Sequence, residues 1–223
     1  MAMKTEWHAG ELHVLSASTG EVMAKGSVAG EFAVLGEAHF SPDGRQIAAT
    51  FVDYPTPAEM MRLRIVLFDA STGAIQATRE IEPGHASPYQ LRYSPDGKSL
   101  SLIWRTGSNY DQGKFALLNA ADGSIRWSRP LKEKEYVTSA MFRNDSQLLG
   151  LATQVIPEKK IDPDPLDVPQ ARIHLIDPGT GDVRETLIAP RGSVNDSKFS
   201  PDGRTLATGS TGAVHLWDVS GLE

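Results

Sequence analysis

Phe199-Ser200-Pro201-Asp202-Gly203-Arg204-Thr205-Leu206-Ala207-Thr208-Gly209-Ser210, followed closely by Val214-His215-Leu216-Trp217-Asp218, decides how the rest of the chain is read. Its first six residues recur as Phe40-Ser41-Pro42-Asp43-Gly44-Arg45 and as Tyr93-Ser94-Pro95-Asp96-Gly97-Lys98. A worn copy, Phe142-Arg143-Asn144-Asp145-Ser146-Gln147, lies between the second and the last. From aromatic to aromatic the spacings are 53, 49 and 57 residues. A second marker follows each copy in step: Ile65 to Gly73, Phe115 to Gly123, Ile173 to Gly181 and Val214 to Gly221. An extra copy of it, Leu12 to Gly20, opens the chain. Two markers in step identify an internal repeat.

Local chemistry predicts that each repeat is a four-stranded antiparallel meander. Pro-Asp-Gly is turn chemistry, because Pro fixes φ, Asp bonds nearby backbone and Gly accepts positive φ. It joins two inner strands, a and b. Ser-Thr-Gly, Ala-Asp-Gly and Gly-Thr-Gly close a second hairpin between strands c and d. Strand c is rich in β-branched and apolar residues, as in Arg64-Ile65-Val66-Leu67-Phe68. Strand b carries Ala48, Ser101, Gly150 and Ala207 at one repeat position, all small, as close packing of neighbouring sheets requires. No segment sustains a helical period, so the predicted fold is all-β, with about four four-stranded units. The expected units are a partial one over 11–28, complete ones over about 31–81, 88–131 and 136–189, and C-terminal strands over 194–219, in one domain covering 1–223.

The quoted C-terminal stretch resembles a blade of a WD-repeat (tryptophan–aspartate repeat) β-propeller, and the resemblance extends over nearly the whole chain. Trp217-Asp218 matches the name-giving pair, while the equivalent positions read Phe68-Asp69, Leu118-Asn119, Ile176-Asp177 and Leu15-Ser16. The family's Gly-His is present as Gly84-His85. The resemblance implies a β-propeller that serves as a non-enzymatic protein-interaction platform, with a protein partner and no cofactor. The alternative is a ligand-binding or substrate-gating propeller of a larger enzyme or envelope complex.

Composition narrows the chemistry. Hydrophobic residues are 40% and charged residues 22%, the balance of a globular chain. A net charge of −6 argues against nucleic acid as partner, because phosphate backbones call for a basic footprint. No apolar run approaches the roughly 20 residues that cross a bilayer, and the first residues have no signal core, so no membrane partner and a cytoplasmic location are expected. Absence of cysteine removes disulfides, thiol catalysis and zinc–thiolate sites. His13, His174 and His215 share one strand-c position in different repeats, which predicts separation rather than convergence on a metal. His85 suits a loop hydrogen bond. Asp162, Asp164 and Asp167 form an oxygen-rich cluster, but their spacing lacks the calcium-loop glycine and alternates with prolines. A calcium-assisted carbohydrate binder is therefore a third reading only. The chain carries no nucleophile elbow, phosphate loop or dinucleotide fingerprint, and Asn144-Asp145-Ser146 and Asn195-Asp196-Ser197 read as turn residues rather than glycan acceptors.

The repeats differ in length in an informative way. In a meander the a–b and c–d turns share one face, and the b–c and d–a connections share the other. The b–c connections, at about 53–63, 106–113, 155–171 and 211–212, hold every sizeable insertion. One-sided insertions mark a candidate binding face. Thr56-Pro57-Ala58-Glu59 has capping-box spacing, which predicts a helical turn presenting Met60 and Met61. Tyr54, Arg105 and Tyr110 fall near the same face and are residue types enriched at interface hot spots. Trp104 fits either that face or packing between blades. The strand count predicts seventeen strands, with c and d first and a, b and c last, so the ends need closure. Strand d at about 21–28 pairing with strand c at 213–219 would close a four-bladed ring. The expected solution is instead a head-to-tail homodimer forming an eight-bladed ring.

Overall fold

The computed structural model describes residues 10–28, 33–53, 62–83, 86–106, 112–131, 135–155, 171–190, 194–210 and 213–222. Seventeen strands are found among them, and no helix. Strands β1 (Gly10–Leu15) and β2 (Val22–Val28) form a two-stranded sheet. Blade I comprises β3 (Ala33–Phe40), β4 (Gln46–Asp53), β5 (Arg62–Asp69) and β6 (Ile75–Pro83). Blade II comprises β7 (Ala86–Tyr93), β8 (Ser99–Thr106), β9 (Gln112–Asn119) and β10 (Ile125–Pro130). Blade III comprises β11 (Glu135–Phe142), β12 (Leu149–Val155), β13 (Arg172–Ile176) and β14 (Val183–Ile188). Blade IV has three strands, β15 (Val194–Phe199), β16 (Thr205–Ser210) and β17 (Ala213–Asp218). Neighbours in sequence pair antiparallel throughout, giving the expected meanders and the all-β, roughly four-bladed fold. Closure within one chain is not formed among the described residues, because β2 pairs with β1 and β17 with β16, in separate sheets.

The a–b turns explain why their sequence repeats. Ser41 Oγ donates to Asp43 Oδ1 at 2.6 Å, and the Arg45 N–H donates to the same oxygen at 3.1 Å. Ser94 with Asp96 and Ser200 with Asp202 repeat this bond at 2.6 Å. Gly44, Gly97 and Gly203 follow at φ 71–72°, and the worn copy puts Ser146 there at φ 62°. The Ser41 and Ser200 hydroxyls, then the following backbone N–H groups, hold the Asp43 and Asp202 carboxyls below their usual range. At Asp96 burial pushes upward, but the Ser94 hydroxyl and Lys98 N–H outweigh it. A carboxyl depressed in the native state adds stability above its unfolded value, about pH 4, and that stability is lost as pH falls through the native value. Urea midpoints should therefore drop between pH 5 and pH 2, and a combined Asp43→Asn, Asp96→Asn, Asp202→Asn variant should show a flatter drop. An unchanged slope would remove these turns from the acid response.

The core lies between successive sheets. Four apolar clusters each bridge two neighbours: β1–β2 with blade I, I with II, II with III, and III with IV. Each fully buried leucine or phenylalanine in them contributes roughly 1.5–3 kcal/mol of burial. Trp104 is one of these core residues, packed between blades I and II and not displayed on a face. The small strand-b positions are close-packed where a blade follows: Ala48 and Ser101 are buried, and a Cβ at Gly150 would collide with Met141 Sδ. Ala207, in blade IV, is only half-buried. Every innermost strand is also bulged, between Leu35 and Ala38, Pro88 and Gln90, Val137 and Ser139, and Val194 and Asp196.

Candidate interaction face

The strand ends place all the b–c intervals, 54–61, 107–111, 156–171 and 211–212, on one face. The a–b intervals, 41–45, 94–98, 143–148 and 200–204, are uniformly short and lie on the other. Tyr54, Met60, Met61 and Tyr110 lie outside the described residues, as do His85, Asp162, Asp164 and Asp167. Arg105 is placed at the end of β8, on the b–c face. Its guanidinium sits 4.9 Å from the centre of the Tyr89 ring, a cation–π arrangement with an exposed aromatic. Tyr89 stands at the β7 bulge, where strict alternation no longer tells which side a ring takes. Sequence reasoning therefore missed it.

Two further polar groups frame this face. Arg64 pairs with Asp53 at 2.5 Å, joining β4 and β5 beside the 54–61 interval. In blade III a chain of polar contacts crosses all four strands. Thr153 Oγ1 donates to Glu135 Oε1 at 2.7 Å, His174 Nε2 lies 4.0 Å from Glu135 Oε1, and His174 Nδ1 contacts Thr186 Oγ1 at 3.0 Å. His13 contacts Glu11 at 3.0 Å and the His215 ring lies 6.1 Å from that of Trp217, so the three equivalent histidines serve three separate sheets. Among the described residues no three His, Asp or Glu side chains are grouped to hold a metal ion.

The opposite face carries an open cleft of about 1050 Å³ between the turns of blades I and II. Its lining includes Asp43, Gln46, Asp96, Lys98 and Arg126, charges of both signs. Much of this lining is already engaged. Tyr93 Oη donates to Gln46 Oε1 at 2.8 Å, Gln46 Nε2 donates to Gln76 Oε1 at 2.8 Å, and Arg126 donates to Ser99 Oγ at 2.9 Å. Burial, aided by the Asp43 charge, pushes the Tyr93 phenol well up, which keeps it a donor.

Blade IV carries the most diagnostic contact. Trp217 Nε1 donates to the buried Thr208 Oγ1 at 3.0 Å, tying strand c to strand b. At the equivalent pairs blades I to III carry Ala49 with Phe68, Leu102 with Leu118 and Leu151 with Ile176, all buried and apolar. A family model described as WD domain, G-beta repeat matches residues 181–218, which include this tryptophan. The fold is that of a WD-repeat-like β-propeller. Solved propellers agree with it. The Dos1 propeller superposes with TM-score 0.63 at 14% identity, covering 95% of this chain and 50% of that one. The C-terminal WD40 domain of Sif2 gives 0.59 at 14% identity, covering 90% and 48%. The Pyrococcus horikoshii acylaminoacyl peptidase gives 0.57 at 16% identity, covering 84% and 31%. The chain thus spans half or less of each of these proteins, and the likeness is one of fold. No curated protein matches the chain.

Proposed function

We propose that this WD-repeat-like propeller is a non-enzymatic protein-interaction scaffold that binds a protein partner through the face carrying the b–c connections. The observation that carries the reading is the one-sided variation: the intervals at 54–61, 107–111 and 156–171 vary in length and share a face, while the opposite turns stay short. The cation–π pair of Arg105 with exposed Tyr89 adds a rigid aromatic and a cation to that face. Tyr and Arg are residue types enriched where interfaces concentrate their binding energy. The reading includes self-association, two copies joined head to tail into an eight-bladed ring. Likeness to a peptidase's structure is a likeness of fold, so the substrate-gating alternative gains no residue from it.

Combined Tyr54→Ala, Met60→Ala and Met61→Ala substitutions should weaken capture of the partner from a source-cell extract about tenfold or more. The melting temperature should stay within a degree or two, because the substitutions fall in the interval between β4 and β5. If alanines in the Asp69–Gly73 or Asn119–Gly123 turns weaken capture more, the partner binds the opposite face.

A further inference from the structure

Contacts between innermost strands follow a repeat rule that blade IV leaves unfinished. Counting back from the aromatic before each a–b turn, the residue three positions earlier reaches the next blade. Glu37 Oε2 accepts the Leu91 N–H at 2.7 Å, and Gln90 Oε1 accepts the Ala140 N–H at 2.8 Å. At the third interface Ser197 Oγ donates to Ser139 Oγ at 3.0 Å. In each case the recipient stands two positions before its own aromatic. The next reaching residue is Asp196, exposed in blade IV, whose Oδ1 takes the adjacent Ser197 N–H at 2.8 Å. The next recipient position is Ala38 in blade I, also exposed; among the described residues the β1–β2 sheet sets no innermost strand against it.

The apolar surfaces tell the same story. Ile65 and Leu67, Phe115 and Leu117, and Ile173 and Leu175 occupy one pair of strand-c positions and are fully buried by the following blade. The same positions in blade IV are Val214 and Leu216, each 71% exposed. On the receiving side, Phe40 of blade I is 55% exposed, whereas Tyr93 and Phe142 are half-buried and Phe199 is buried. Strand β1 covers only the outer part of that receiving face. Its Leu12 and Val14, the repeat equivalents of Val214 and Leu216, pack with Phe51 and Phe68. The exposed blade IV surface and the blade I face, of which β1 covers the outer part, are therefore the halves of one blade–blade interface that the chain builds three times internally.

We propose that a second copy of this chain completes it: β15–β17 of one copy dock on the β3–β5 face of its partner. Asp196 accepts the N–H of Ala38 of the partner subunit. Val214 and Leu216 take the seat that β1 occupies with Leu12 and Val14, and β1 is displaced. The same contact repeated about a two-fold axis covers both exposed surfaces on both copies. The inference rests on the self-association reading above and adds its interface.

The chain has no cysteine, so an engineered pair reports directly. Ala38→Cys combined with Asp196→Cys should oxidise to a disulfide-linked species of twice 24.2 kDa, because cysteines bridge only when their Cα atoms lie within about 7 Å. Gln90→Cys with Ala140→Cys, the internal version of the same contact, should lose its thiols without a change of mass. Loss of thiols from the 38/196 pair at monomer mass would mean closure within one chain and overturn the proposal. A dimer in light scattering with both thiols free would overturn this interface while leaving self-association standing. A monomer with free thiols would overturn both. As a second measurement, Val214→Asp with Leu216→Asp should convert the dimer to monomer with unchanged circular dichroism. A dimer that survives those charges would overturn docking through Val214 and Leu216.

Discussion

Phe115→Ala should lower the unfolding free energy by about 3–5 kcal/mol, the usual cost of emptying a large aromatic site in a core. Phe115 is fully buried between blades II and III, with its ring 5.5 Å from that of Trp127 and in one cluster with Ile103, Val137 and Leu149. Both sheets that line the site are held by their own hydrogen-bond ladders, so they collapse little around the cavity. Val214→Ala changes the same repeat position in blade IV. In the separated monomer, at nanomolar concentration, it should cost under about 0.5 kcal/mol, as exposed substitutions do. Urea unfolding followed by tryptophan fluorescence measures both. Similar losses at the two positions would show that the blade IV surface is covered within the monomer, against the 71% exposure of Val214.

The contrast between these positions shows what a repeat sequence reveals and what it hides. The a–b turns were legible because their bonds are local: Ser41, Asp43 and Arg45 satisfy one another within five residues. The small residues of strand b were legible as close packing, since Gly150 has Met141 against it. The cross-blade bonds were not. Glu37 finds its partner 54 residues away, and the bulge in each innermost strand breaks the alternation that would have shown which side chains face the next blade. Residue type alone left Trp104 open between that face and packing between blades; it lies in the core, and an exposed aromatic among the described residues of the b–c face is Tyr89. Of the proposed contact residues, Arg105 is placed and is stacked on that ring. For Tyr54, Met60, Met61 and Tyr110 the sequence offers residue types without a repeat register, because the intervals they occupy have no counterpart of equal length in the other blades. The worn turn shows compensation. Ser146 takes the positive φ where the other copies have glycine, and its hydroxyl accepts the Asp96 N–H at 3.0 Å.

Gly73→Ala should be the most costly of the turn substitutions, and Gly44→Ala shows why by comparison. Both glycines have φ near +73°, so both variants carry the left-handed penalty of roughly 1–2 kcal/mol for an L side chain. A Cβ at Gly44 meets open space, so that penalty is its whole cost. A Cβ at Gly73 would collide with the carbonyl of Lys25 in β2, a backbone group that cannot rotate aside. Gly26 is also tight, with the Phe68 ring 2.7 Å from where its Cβ would stand. The c–d turn of blade I and strand β2 therefore meet backbone to backbone, and the added methyl is accommodated only by lifting β1–β2 away. Lifting that sheet exposes Leu12, Val28 and part of Phe68, which brings the expected loss to about 3 kcal/mol or more. Urea midpoints compare the two variants. Hydrogen exchange on the separated monomer, where β1 keeps its seat, locates the change: in Gly73→Ala the amides of Leu12 and Ala24 should lose protection first, while those of blades II and III keep it. Equal costs at Gly44 and Gly73, or loss of protection spread evenly over the blades, would mean that β1–β2 is not seated on this turn.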